Sequence, residues 1–188
     1  MRNQDFCVID AGPLITLTTG GALPELTAAG DYFQFKVLDI VAIEAGRRDR
    51  PGGGAIADWL EKMQAEGKLD IIETEVGRTT RENRKTDPTF RIKNAGEQAI
   101  ADWIVGGGLD AANSAVVVYE DKDTRRLLEA MQPNADVVAV STRAFLIAGE
   151  GIGFVSDATA LWDKIHANAP TRTEVNSRFT VSTRTPAP

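Results

Sequence analysis

The sequence predicts an α/β protein with a mostly parallel sheet covered by helices on both faces, and three observations lead there. Short apolar runs alternate along the chain with segments of helical period. The runs are continuous, as in AVVVY at 115–119, which marks strands buried on both faces. The segments between them are long enough for the crossover that parallel pairing needs. The 188 residues suffice for one well-buried domain.

Each element follows from local chemistry. FCVI (6–9) is the first strand, and it stops on a carboxylate, Asp10. Pro13 suits the first turn of a helix, PLITL, which Gly20 and Gly21 stop ahead of a second short helix, ALPELTAAG. FKVL (35–38) is the second strand, and Asp39 can cap a helix beginning IVAIEAG. RRDRPGGG reads as a loop. In AIADWLEKMQAEG, Ile56, Trp59, Leu60 and Met63 recur at helical spacing before Gly67. LDIIE is the third strand.

GRTTRENRKTDPTFRIK (77–93) carries six basic residues against two acidic ones and no apolar period, so an exposed loop is expected. NAGEQAIADWIVGGG is a helix from an Asn cap to a glycine stop, and AVVVY is the fourth strand. DTRRLLEAM is a helix, DVVAV a strand, TRAFLIAG a helix and DATALWDKIHAN a last amphipathic helix. GEGIG (149–153) follows a helix rather than a first strand, so it reads as a turn and not as a dinucleotide phosphate loop. The expected domain is 1–168, with 169–188 a flexible polar tail that has little to bury.

Composition narrows the function classes. A net charge of −6 argues against a protein that coats nucleic acid by bulk positive charge, but leaves room for an enzyme with acids gathered in one site and basic residues around it. The single Cys7 lies in the first apolar run and cannot form an internal disulfide. No apolar leader opens the sequence, and no stretch approaches the roughly 18–20 apolar residues of a membrane span. The expectation is a cytoplasmic protein with no membrane partner.

In parallel sheets, ligands gather beyond the carboxyl ends of the strands. Asp10 follows the first strand, Glu120 and Asp121 follow the fourth, and Asp123 comes two residues later. Glu44 lies a turn into the helix after the second strand, and Glu97 in the first turn of the helix that feeds the fourth. Each has a local explanation: Asp10, Asp121 or Asp123 could cap a helix, Asn94 and Glu97 stand at capping-box spacing, and Glu44 could be solvated. If the first, second and fourth strands are neighbours, however, the acids converge. Crowded carboxylates stay ionised only with a cation between them. Oxygen-only ligands favour Mg²⁺ or Mn²⁺, which can activate water for phosphodiester cleavage. Zinc is disfavoured with His166 as the only histidine and Cys7 as the only cysteine.

VIDAGPLITL, IVAIEAGR, NAGEQAIADWI and VVVYEDKDTRRLLEA, in this order, resemble the four acidic motifs of PIN-domain ribonucleases, the family that includes VapC-type toxins; the resemblance runs from about residue 6 to 166. It implies a three-layer αβα sandwich around a parallel sheet and Mg²⁺- or Mn²⁺-dependent cleavage of RNA. Carried over by position, it implies catalytic roles for Asp10, Glu44, Glu97, Asp121 and Asp123, with Asp10, Glu97 and Asp121 on the metal. Whether Glu120 or Asp123 joins Asp121 there is left open. STRAFLIAGEG (141–151) resembles the family segment that packs a threonine beside the acids, which makes Thr142 a polar support. The family also brings a toxin role, a cognate antitoxin and a homodimer as expectations. The chain departs from the pattern in Glu97, where many toxins have Asp, in Glu120 before Asp121, and in its basic 77–93 segment and polar tail.

An RNA substrate needs positive charge near the acids, and Arg47 with Arg48, the 77–93 segment, and Arg125 with Arg126 all adjoin an acidic motif. Trp59, Trp103 and Trp162 stand at helical apolar spacing, which favours core packing over base stacking. Two other readings compete. DKDT (121–124) matches the phosphatase motif of the haloacid dehalogenase-like family, but too little chain follows to build that fold. A non-catalytic PIN-like module for protein or RNA binding gains nothing from self-repelling acids.

Overall fold

The computed structural model describes residues 4–109, 112–120 and 136–169. Within these, five parallel strands form one sheet: β1 (Gln4–Ile9), β2 (Gln34–Leu38), β3 (Leu69–Ile72), β4 (Ala112–Tyr119) and β5 (Asp136–Ser141), in the order β3-β2-β1-β4-β5. Helices surround this sheet in a three-layer αβα sandwich. They are α1 (Ala11–Thr19), α2 (Leu23–Ala29), α3 (Asp39–Ala45), α4 (Gly53–Ala65), α5 (Glu75–Arg84), α6 (Ala95–Val105), α7 (Thr142–Ile152) and α8 (Ala158–Asn168).

Burial follows the sequence pattern. Cys7, Val8 and Ile9 of β1 and Val117 and Val118 of β4 are fully enclosed, as central strands covered on both sides require. Burial also pushes the Cys7 thiol far above its ordinary pKa, which makes it an inert core residue. Trp59 and Trp162 pack in the core, and Trp103 is half-buried against it. Among the described residues, no helix is long and apolar enough to cross a membrane.

The chain enters the sheet at its centre. β1 pairs with β2 on one side and β4 on the other: the chain runs outward from β1 to β3 and then crosses to β4 on the opposite side, so the strand order reverses between β1 and β4. Such a switch point opens a crevice at the carboxyl ends of the strands, because the helices that would fill it diverge. Asp10 and Glu120 end the two strands that flank it.

Three local expectations are corrected. The segment from residue 77 is not all loop: α5 runs to Arg84, capped by the Thr74 hydroxyl accepting from the Gly77 amide at 3.0 Å. Its buried face is Val76, Gly77 and Thr80, residues that leave no apolar period to read. Asn94 forms no capping box; its backbone is left-handed (φ 55°) and its side chain caps nothing. GEGIG is the end of a helix rather than a turn, since α7 continues to Ile152 and stops at left-handed Gly153. The expected DTRRLLEAM helix lies outside the described residues, as do Asp121, Asp123, Arg125, Arg126 and residues 170–188 of the polar tail.

Candidate active site

Asp10 takes the N-cap position of α1 because Ala-Gly-Pro turns the chain immediately after β1, and its carboxylate accepts from the Ala11 amide at 2.7 Å. The Asp10 amide itself donates to the Val118 carbonyl at 3.1 Å, which fixes the end of β1 against the end of β4. Two residues on from Val118, Glu120 extends from β4 toward α1 and α7. Its two oxygens accept from the Thr16 hydroxyl at 3.0 Å and the Thr142 hydroxyl at 2.7 Å. Both threonines are fully buried, so Glu120 is held from two helices at once.

Glu44 arrives from the last turn of α3 and Glu97 from the first turn of α6. With Asp10 and Glu120 they line a single cleft of about 300 Å³. Glycines form part of its walls: a Cβ on Gly12 would stand 3.1 Å from a Glu120 carboxylate oxygen, and one on Gly96 would stand 3.1 Å from the Asp10 carboxylate. Side chains there would crowd the acids or fill the space between them.

The electrostatics match the crowding. Burial first, then the charges of Glu97, Glu44 and Glu120, push Asp10 up to about 7, against the opposing bond from Ala11. Glu44 is also raised, by burial and by Glu97, with Arg84, Arg50 and Arg91 pulling the other way. The donors in the cleft are carboxylate oxygens, the chemistry of a hard divalent ion, and a cation would relieve the penalty on Asp10. Among the described residues no three acids, histidines or cysteines close on a common point. An ion held there by one or two carboxylates and several waters, as Mg²⁺ usually is, fits this spacing.

Of the residues expected at the site, Asp10, Glu44 and Glu97 come together, while Asp121 and Asp123 lie outside the described residues. Glu120, left open by the sequence, lines the cleft, and Thr142 supports it. Thr16 was not legible as a site residue; its only signal is a hydroxyl on the face of α1 that otherwise buries Pro13, Leu14 and Leu17. Asp39, expected only as a cap, is a buried structural acid that accepts from the Ile40 amide at 2.9 Å and the Thr74 hydroxyl at 2.6 Å, and pairs with Arg81. It is not a wall of the cleft.

No protein family, curated protein or solved structure matches the chain.

Proposed function

We propose that the protein is a PIN-like, Mg²⁺- or Mn²⁺-dependent ribonuclease that hydrolyses RNA phosphodiester bonds. The observation that carries this reading is the convergence of Asp10, Glu44, Glu97 and Glu120, from four separate elements, on one cleft at the switch point. A scaffold has no use for acids crowded so that burial and neighbouring carboxylates push Asp10 and Glu44 up. A site that binds a divalent ion does.

Asp10 and Glu97, with Glu120 or Asp121, would hold the ion. Bound there, it supplies an activated water and charge relief at the leaving oxygen. The protein's own contribution is positional. Thr16 and Thr142 keep Glu120 from swinging into its neighbours, and the Ala11 amide fixes one Asp10 oxygen. Glu44, half-buried and held above its ordinary pKa by burial and by Glu97, is suited to accept a proton at its carboxylate from the attacking water. A toxin role, with an antitoxin covering this cleft and a homodimer in the cytoplasm, remains part of the proposal by family resemblance.

The test is a mixed RNA pool incubated with wild type and Asp10→Asn, in Mn²⁺ or in chelator, with the product ends mapped. Asp10→Asn keeps the shape and removes a charge, so metal-dependent cleavage should fall by at least about a hundredfold, the scale for losing a principal electrostatic group. Near wild-type turnover by the folded variant rejects the assignment.

A further inference from the structure

We propose that Arg50, Arg84 and Arg91 form a cationic rim that grips the backbone phosphates flanking the scissile bond of an RNA strand. This rests on the ribonuclease reading and identifies how the substrate is held.

The sequence offers several basic sets beside the acids, and the structure sorts them. Arg47 is chelated by Asp49 at 3.0 and 2.5 Å, and Arg48 pairs with Asp58 at 2.8 Å. Arg78 pairs with Glu75, and Arg81 is drawn into the buried Asp39. Arg50, Arg84 and Arg91 make no ion pair among the described residues, although Arg50 and Arg91 are exposed and Arg84 is half-buried.

Their placement sets all three beside the elements that carry Glu44 and Glu97, outside the lining of the cleft itself. Helix α5 packs against both α3 and α6, the helices that carry Glu44 and Glu97, and Arg84 is its last residue. The Arg84 Nε donates to the Phe90 carbonyl at 3.0 Å, which ties the following segment back to the helix and brings Arg91 with it. Beyond the end of α3, Arg50 lines a crevice with Ala45 and with Ile15 and Thr19 of α1. The positions agree with the electrostatics, since the charges of all three guanidinium groups oppose the rise in the Glu44 pKa. Helix α5 cannot drift, because Asp39 accepts from Thr74 at its start and from Arg81 one turn before Arg84. A polyanion must be drawn to a cleft that repels it, and guanidinium groups with no acid partner among the described residues supply the attraction beside it.

The experiment measures cleavage of a labelled single-stranded RNA in Mn²⁺ across a NaCl series. It compares wild type, Arg50→Gln/Arg91→Gln, and the charge-matched control Lys62→Gln/Lys68→Gln, whose lysines pair with Glu66 and Asp31. The rim pair leaves the Arg84–Phe90 bond intact; adding Arg84→Gln tests the full rim, with circular dichroism reporting the fold. Arg50→Gln/Arg91→Gln should raise KM at least about tenfold with kcat little changed, and flatten the slope of log KM against log salt by about 1.4, the value for two lost phosphate contacts on a single strand. The control should match wild type. If the rim variant keeps wild-type KM and slope, or the control loses as much, the rim is wrong while the ribonuclease reading stands, because wild type still cuts. If wild type cuts no RNA in Mn²⁺, the ribonuclease reading falls and the rim with it.

Discussion

Burial and three neighbouring carboxylates all oppose a charge on Asp10, and that sets a testable pH dependence. In metal-free protein, folded Asp10 keeps its proton up to about pH 7, whereas the ordinary value of 3.8 applies once the chain unfolds. Between these values the native state binds the extra proton, so the stability it contributes is lost as pH rises from about 4 to 7 and is level above. The loss is on the order of 4 kcal/mol. Asp10→Asn removes this term. Urea unfolding in chelator should find the two proteins alike at pH 4 and the variant more stable by about 2–4 kcal/mol at pH 8; a difference that does not grow with pH contradicts the crowding. At this scale the sequence was informative wherever an acid directly follows a strand, as with Asp10 and Glu120. It was silent on Thr16, because which face of α1 meets β4 depends on packing and not on local pattern.

Helix α5 shows what one element owes to a single buried contact. A Cβ on Gly77 would stand 2.1 Å from both Asp39 carboxylate oxygens, so Gly77→Ala must displace the acid that holds Thr74 and Arg81. Displacing the buried Asp39 carboxylate from Thr74 and Arg81, added to the overpacking, should cost about 3 kcal/mol in urea unfolding. Gly151→Ala in α7 meets no atom within 4 Å and should be neutral or stabilising. Equal effects from the two would deny Asp39 its anchoring role. The strands were legible because parallel strands buried on both faces leave unbroken apolar runs, as in β1 and β4. Helix α5 was not, because it is held by a polar anchor and buries Gly77 and Thr80, which carry no apolar signal.

For the whole molecule, strand order turns scattered acids into a site. Asp10, Glu44, Glu97 and Glu120 span more than a hundred positions of sequence, and only the order β3-β2-β1-β4-β5 puts them at one crevice. The sequence could state that condition but not meet it, since pairing partners are settled by long-range packing. The net charge of −6 sharpens the point: attraction of a polyanion must come from local arrangement, with cation and rim offsetting the acids. The most direct measurement is anomalous diffraction from crystals soaked in Mn²⁺. A peak in the cleft bounded by Asp10, Glu97 and Glu120 is the expected result; a cleft without one, its carboxylates turned away or bridged to Arg84, would contradict the metal-dependent function.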